Sequence, residues 1–265
     1  MSITSSIPQL PGPAFRARRA KRLLGVGAAG CVVAVLAACS SSSSASPSAP
    51  NGSQAPSSSP ATPASAAATP ASLSQLKKIV LQPADLPSGW KGTPYQADPN
   101  NAAENGTLAA CVGARDTDSD QVAEANSDDF GLGNATITSS ATSYRSQSDL
   151  VNDIAALHSP KLSSCFSQMM KQQLASSLPA GTKVTSASIK VTPGSAGGPA
   201  NVIATGTGTV QVQVNGQQIP LYLSVAFITG PLIQAEVDAE NPGTPVPASV
   251  VNRLAATVAT RAAKG

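Results

Sequence analysis

Hydrophobic and polar positions alternate most clearly in the last third of the chain. From Val202 to Val214 every even position is apolar or Gly, and the odd positions from 205 to 213 are polar. This period of two is typical of a β-strand with one buried face. Asn215-Gly216 follows, which is the sequence most typical of a two-residue hairpin turn.

Further strands are predicted on both sides of this one. Residues 219–227 and 233–239 also alternate, with Thr229-Gly230-Pro231 as a turn between them, and 134–145 and 183–191 are strand candidates. Because tight turns join the last strands, they must run antiparallel.

A period near 3.6 predicts four helices, with apolar stripes that would face the sheet. They cover Ser74 to Leu81, a segment capped by Ser146, a segment that begins at Ser159-Pro160, and the C-terminal segment around Leu254. The segment around Cys111 is expected to be a loop. The predicted fold class is α+β, an antiparallel sheet of about four to six strands with helices packed against it, including a C-terminal helix.

The N-terminus has the pattern of a secretory signal. Residues 1–22 contain five basic residues and no acidic one, and the run from Leu23 to Ala38 is uncharged. A spanning helix needs about 20 apolar residues and this run is shorter, so a signal peptide is the better interpretation. Sec and twin-arginine export both remain open.

Leu36-Ala37-Ala38-Cys39 resembles the bacterial lipobox. The resemblance implies that the sulfur of Cys39 carries a diacylglycerol and that the chain is cut before this residue. Two or three acyl chains would hold the protein at the membrane without a spanning helix. A plain signal peptide with an incidental Cys is the alternative.

The composition changes sharply after Cys39. Nearly every position from 40 to 72 is Ser, Ala or Pro and none is charged, which predicts a disordered tether. The predicted organisation is therefore a signal peptide (1–38), a lipidated Cys with its tether (39–72) and one α+β extracytoplasmic domain (73–265).

The charge of the mature chain excludes a dedicated nucleic-acid binder. The whole chain has 17 Lys and Arg against 14 Asp and Glu, but five basic residues precede Cys39. The remaining 12 basic against 14 acidic residues give a net charge of −2, and no clustered basic patch is left to contact phosphates.

Cys111 and Cys165 are the only cysteines after Cys39. Outside the cytoplasm two lone cysteines normally pair, so a disulfide is predicted, with a metal or redox pair as the alternative.

No catalytic, metal or cofactor site is predicted. His158 is the sole His and lies five residues after Asp153, a spacing that does not put the two on one helical face. The calcium-like run Asp116 to Asp120 is followed by Gln121 where the loop requires Gly. Gly206-x-Gly208 lies in a predicted strand and lacks a third Gly, so it is not a dinucleotide site.

A possible groove is the remaining candidate site. Gly206 and Gly208 leave the inward face of one strand thin, which indicates either close helix packing or a groove over the strand. Trp90, the only Trp, either fills the core beside the Leu86–Trp90 turn or offers a ligand platform.

The lipobox, the tether, the Leu86–Trp90 turn and the Ala-rich C-terminal helix resemble the Ser/Pro/Ala-tethered lipoproteins of actinobacteria. The domain is similar in layout to the extracytoplasmic sensor domains of mycobacterial serine/threonine kinases and to lipoproteins with a PsbP-like α/β sandwich. Those sensors carry two disulfides, whereas Cys111 and Cys165 allow one, and no catalytic residue carries over.

Together these observations predict a non-catalytic binding, sensing or protein-interaction module on the extracytoplasmic face of the cell membrane. Its partners would be the membrane, through the lipid on Cys39, and an envelope protein, glycan or lipid. A lipid or glycolipid carrier with an apolar cavity is the alternative, and an envelope hydrolase is the remote one.

Overall fold

A computed structural model describes residues 68–97, 101–178, 182–194 and 199–265, all of which belong to one structural unit. The predicted signal peptide, Cys39 and most of the tether lie outside the described residues. None of the helices within these ranges is long and apolar enough to span a membrane.

The described ranges contain five α-helices and eight strands. The helices are α1 (Leu73–Ile79), α2 (Asn101–Val112), α3 (Gln147–Ala155), α4 (Leu162–Ser177) and α5 (Ala248–Ala262). The strands are β1 (Lys91–Thr93), β2 (Gln121–Asn126), β3 (Asp129–Leu132), β4 (Ala135–Tyr144), β5 (Thr182–Pro193), β6 (Val202–Val214), β7 (Gln217–Gly230) and β8 (Ile233–Pro242). Short 3₁₀ turns cover Pro83–Asp85, Asp118–Asp120 and Ala156–His158.

All eight strands form one antiparallel sheet in the order β1-β3-β4-β8-β7-β6-β5, with β2 beside β3 on the same edge of β4. The α+β fold class is therefore confirmed, and the expected number of four to six strands is too low. The additional strands β1, β2 and β3 have three, six and four residues, too few for a clear alternation.

The β6–β7 hairpin turns at Asn215-Gly216, as predicted. Both residues have positive φ, 50° and 84°, which Asn and Gly adopt most readily. Val214 pairs with Gln217 across the turn, and the pairing continues to Val202 opposite Ile228. This register places the even positions of β6 from 204 to 212 toward α4.

Helices cover both faces of the sheet. On one face, α1 and α5 pack on the apolar positions of β4, β7 and β8. Ile137 of β4, Val237 of β8 and Leu254 of α5 are each fully buried there. On the other face, α4 packs on β5, β6 and β7, and α2 packs on α4. The sheet is therefore the middle layer of three.

A bidentate ion pair joins α5 to the turn after α1. Arg261 donates to both carboxylate oxygens of Asp85 at 2.7 and 2.8 Å, and Asp85 also accepts from the backbone N–H of Gln82 at 2.7 Å. Burial acts to raise the pKa of Asp85, but the bonds from Arg261 and Gln82 outweigh it and hold this pKa below its usual value.

The disulfide predicted between Cys111 and Cys165 is present and links α2 to α4, with the two Cα atoms 5.9 Å apart. The expectation of a loop around Cys111 is wrong, because Asn101–Val112 is a helix. The side chains of Leu108 and Val112 in α2 are buried against the apolar side chains of α4 and of the strands beneath it, here called the α4 cluster. This tertiary packing stabilises α2 although the apolar periodicity of its sequence is weak.

Helix α4 lies along the outer edge of β5. The hydroxyls of Ser163 and Ser167, one helical turn apart, accept from the backbone N–H groups of Val191 and Ile189 at 3.1 and 3.0 Å. These donors belong to an edge strand, where unpaired N–H groups invite another chain. The two serines therefore protect the edge and fix the distance between α4 and the sheet.

Candidate functional site

The face of the sheet that carries α4 changes from apolar to polar between β7 and β8. On β5, β6 and β7 this face is apolar, with Ile189, Val210 and Phe227 buried under α4. On β4 and β8 the same face is polar throughout. Its members are Thr136, Thr138, Ser140, Thr142 and Tyr144 on β4, and Gln234, Glu236, Asp238 and Glu240 on β8.

A cleft opens where the two halves of this face meet. It encloses about 500 Å³ of open space, including the solvent at its mouth. Phe166 and Met170 of α4 form one wall, and residues of β4 to β8 form the rest. Since α4 is held against the edge of β5 by its serines, the cleft is built into the packing of helix and sheet.

Gly206 and Gly208 both line this cleft. A Cβ atom on Gly206 would lie 2.6 Å from Cγ1 of Val225, and one on Gly208 would lie 2.6 Å from Cγ1 of Ile189. The branched side chains of the neighbouring strands thus occupy the space above the glycines. At Gly206 and Gly208 the chain therefore packs closely against side chains of the neighbouring strands and also forms a thin floor of the cleft.

The acidic side of the cleft is formed by β8. Asp238 lies between Thr138 of β4 and Val225 of β7, and Glu240 lies between Thr136 and Leu223 in the same way. Each carboxylate therefore has a hydroxyl residue on one side and an aliphatic residue on the other. None of the described residues that line the cleft is Lys, Arg or His.

Beyond the cleft, the polar half continues as a buried network under α3. The hydroxyl of Ser140 donates to Glu236 at 3.2 Å, and the hydroxyl of Tyr144 donates to Gln234 at 3.1 Å. Glu236 and Gln234 are each only 4% exposed. Polar groups this deeply buried require such partners.

Asp153 of α3 is the least exposed carboxylate of this network, at 1%. Thr117 donates to its Oδ1 atom, whereas its Oδ2 atom has no hydrogen-bond partner among the described residues. Asp153 thereby fastens the segment between α2 and β2 to α3. It does not line the cleft, so its role is in the supporting structure.

Burial raises the pKa of Asp153 to about 7. The hydroxyls of Thr117 and Tyr144 act against this rise, and the carboxylates of Asp118 and Glu236 add to it. Burial, together with Asp153, also raises the pKa of Tyr144 well above its ordinary value, so that Tyr144 remains a hydroxyl donor.

Comparison with known proteins gives one weak likeness. The extracellular domain of PknH from Mycobacterium tuberculosis is similar at 11% identity and a TM-score of 0.42. The match covers 74% of this chain and 99% of that domain. No protein-family model and no curated protein matches the chain. A likeness this remote assigns no residue role and no function.

The structure separates the residues that the sequence offered for a groove. Gly206 and Gly208 line the cleft, but Trp90 packs half-buried against the α1–α5 core on the opposite face of the sheet. Trp90 therefore fills the core, which is the first of the two alternatives given for it, and does not lie beside Gly206 and Gly208. Its turn leads into β1, which pairs with β3 at the far edge of the sheet from β6.

Cys165 precedes Phe166 on α4, so the disulfide is attached to the helix that forms one wall of the cleft. Cys39 lies outside the described residues. His158 is exposed at the end of its 3₁₀ turn, and Asp120 of the calcium-like run forms an ion pair with Arg115. No group of three His, Cys, Asp or Glu with metal-binding geometry occurs in the described part of the chain.

The sequence analysis considered Asp153 only as a partner of His158, and it did not single out Glu236, Asp238 or Glu240. The alternation on β8 indicated that its polar positions share one face, and such a face is usually exposed to solvent. One signal was present nearby: the whole of β4 has no charged residue, and nine of its ten positions are buried. An uncharged strand rich in Ser and Thr is consistent with a strand whose two faces are both covered by other parts of the protein.

Proposed function

We propose that this protein is a lipid-anchored, extracytoplasmic binding module that takes a small ligand in the cleft and catalyses no reaction. The observation that carries the proposal is the cleft itself, which joins an apolar wall to a pair of carboxylates in one opening. Small-molecule sites are typically concave and mostly apolar with a few polar groups, and the lining of this cleft has that composition.

The location part of the proposal rests on the sequence and the disulfide. The lipobox-like ending at Cys39, the uncharged tether and the Cys111–Cys165 bond all fit a protein exported and anchored by lipid. A tether also raises the effective concentration of the domain near the membrane.

Changing Cys39 to Ala tests the anchor. We expect the unaltered protein to partition into the detergent phase of Triton X-114 with the added mass of a diacylglycerol. The C39A protein should lack that mass and leave the membrane fraction or accumulate uncut. Cys31→Ala is the matched control, because Cys31 lies within the predicted signal peptide. A C39A protein that keeps the lipid mass would contradict the anchor.

Filling the cleft tests ligand binding. In a ligand-observed NMR screen of small fragments, we expect hits on the full chain that Leu223→Trp abolishes, because Leu223 lines the cleft. Tyr222→Trp is the matched control, since the neighbouring position of β7 points to the other face of the sheet. Hits that respond equally to both changes, or no hits at all, would refute the binding module.

A lipid or glycolipid carrier remains the second candidate, and the apolar part of the lining favours it. Phe166, Met170 and Ile189 are side chains that an acyl chain would contact. Against it, the opening is small and one side is acidic. Native mass spectrometry decides between the two, because a carrier should retain a co-purified lipid that Leu223→Trp displaces.

A further inference from the structure

We infer that the part of the sheet that α1 and α5 leave uncovered binds an acidic glycan, an extended polysaccharide chain whose sugars carry carboxylate groups. The inference goes beyond the proposed function, because these side chains point to the opposite face of the sheet from α4 and the cleft. It is carried by the order of the side chains across β5 to β8, by their exposure and by the sign of their charge.

The helices on the α5 side of the sheet cover only part of it. Within the described ranges, α1 and α5 pack on β4, on β8 and on the second half of β7, where Ala226 and Ile228 are buried. Beyond them, the side chains that point away from α4 at alternate positions 186–190 of β5, 209–211 of β6 and 220–222 of β7 are exposed or half-buried. These positions, with Asn241 of β8, are here called the open face.

The strand register aligns the side chains of the open face in rows across the sheet. The central row takes one residue from each strand from β5 to β8, namely Ser188, Thr209, Tyr222 and Asn241. Neighbouring strands are about 4.8 Å apart, so this row extends about 14 Å. The adjoining row consists of Ser186, Gln211 and Pro220. The amide of Asn241 donates to the hydroxyl of Thr244 at 3.2 Å, which orients it at the end of the central row.

The chemistry of the open face suits a sugar chain. Its hydroxyl and amide groups both donate and accept hydrogen bonds, as the hydroxyls of a sugar do. Tyr222 lies between Thr209 and Asn241 in the central row and offers an aromatic ring with a polar tip. The C–H side of a sugar ring packs on such a ring while the hydroxyls around it bond to the neighbouring side chains. Sheet faces hold oligosaccharides in the OB-fold as well.

The charges on this part of the sheet have one sign. Lys190 is exposed on β5, two positions after Ser188 and on the same side. Lys183, opposite Gln213, is exposed on that side of β5 as well. None of the open-face positions is Asp or Glu. A glycan with carboxylates along β5 is therefore attracted by both lysines, whose ammonium groups donate hydrogen bonds to anions.

Other macromolecules fit the open face less well than a glycan. A protein interface has an apolar core rich in aromatic residues, whereas here Tyr222 is surrounded by hydroxyl and amide groups. A nucleic acid is held through many phosphate contacts, and Lys183 and Lys190 would neutralise two at most. A carboxylated sugar chain needs few charges and many hydrogen bonds, which is the balance found on this surface.

Two oligosaccharides of equal length test the inference: the hyaluronan tetrasaccharide, which carries carboxylates, and chitotetraose, which carries none. Titrated into the full chain in nanodiscs, the hyaluronan fragment should bind about tenfold more tightly, the gain expected from two exposed ion pairs. This preference should shrink as salt is added. The NMR signals of the Thr209 methyl and the Tyr222 ring should shift with both oligosaccharides, whereas the methyl signals of Leu223 in the cleft should stay in place.

Variants of two side chains assign the binding to the open face. Tyr222→Ala should weaken both oligosaccharides at least about tenfold, as loss of a central aromatic contact does. Tyr222→Trp retains an aromatic ring and should retain binding. Lys190→Gln should reduce the preference for the hyaluronan fragment and leave the affinity for chitotetraose unchanged. Lys171→Gln, an exposed position on α4 at the other face of the sheet, is the matched charge control.

Absence of binding, equal affinities for the two oligosaccharides, or binding that survives Tyr222→Ala would overturn the inference. If Tyr222→Ala fails to fold, Thr209→Val with Ser188→Ala removes two hydroxyls of the central row, and Val keeps the branched shape that a strand favours. This double variant should weaken both oligosaccharides. None of these results affects the proposed function, because the fragment hits and Leu223→Trp report on the cleft.

Discussion

Replacing Asp153 with Asn should raise the free energy of unfolding, relative to that of the unaltered protein, more at pH 8 than at pH 5. Burial holds the pKa of Asp153 near 7, against an ordinary value of 3.8. Between these values the folded chain keeps a proton that the unfolded chain releases, so stability falls as the pH rises. Ionising Asp153 in the folded state costs about 4 kcal/mol in total, at about 1.36 kcal/mol per pKa unit.

The measurement is urea-induced unfolding of both proteins at pH 5 and pH 8. The difference in free energy of unfolding between D153N and the unaltered protein should change by about 2–3 kcal/mol in favour of the variant over this interval. Asp149→Asn on the same helix is the control and should shift stability equally at both pH values. Parallel pH curves for D153N and the unaltered protein would show that Asp153 is not the titrating group.

The ion pair of Asp85 with Arg261 affects a different pH interval. The pKa of Asp85 is lowered. The stability that the ion pair contributes is therefore present above the ordinary carboxylate pKa and is lost only as the pH falls through the lowered pKa of Asp85. Stability lost below the ordinary carboxylate pKa therefore includes the contribution of the Asp85–Arg261 pair, on the face covered by α1 and α5. The change between pH 5 and 8 reflects Asp153, on the opposite face of the sheet.

The strands that the sequence predicted well are those with long alternation and a strong turn. The interval from Val202 to Val214 is reproduced residue for residue as β6, and Asn215-Gly216 forms the turn that follows. Local pattern suffices there, because burial on one face and turn geometry are both determined by neighbours in sequence.

The parts that were missed depend on contacts between distant segments. The helix capped by Ser146 was predicted, but the burial of its Asp153 was not, since it arises because α3 covers a polar part of the sheet. An alternating strand shows which positions share a face but not which element covers that face. The position of Trp90 follows from the pairing of β1 with β3, which no local pattern contains.

The cleft shows the same division. Gly206 and Gly208 were recognisable as a thin place on one strand, and they do line the opening. Its acidic side comes from β8, which follows the whole of β7 in the chain, and its wall comes from α4, which precedes β5. Only the three-layer packing brings these segments together, so the chemistry of the site could not be derived from the glycines alone.

Removing the Cys111–Cys165 disulfide should lower the free energy of unfolding by roughly 4 kcal/mol on the chain-entropy estimate for a loop of this length. The two cysteines are 54 residues apart, so the bond restricts a large part of the unfolded chain. Cys111→Ser with Cys165→Ala is the suitable double change, because Cys111 is exposed and Cys165 is buried. Urea unfolding with and without a thiol reductant measures the effect.

The loss should begin at α2 rather than in the sheet. Besides the disulfide, α2 is held by Leu108 and Val112 on the α4 cluster and by a hydrogen bond from the hydroxyl of Ser159 to the carbonyl of Val112 at 3.1 Å. Hydrogen exchange of the α2 amides should therefore accelerate well before that of β6 and β7. The double variant should be indifferent to reductant, whereas the unaltered protein should lose stability on reduction. If reduction frees two thiols and leaves both stability and α2 exchange unchanged, the bond does not hold α2 against the helix that walls the cleft.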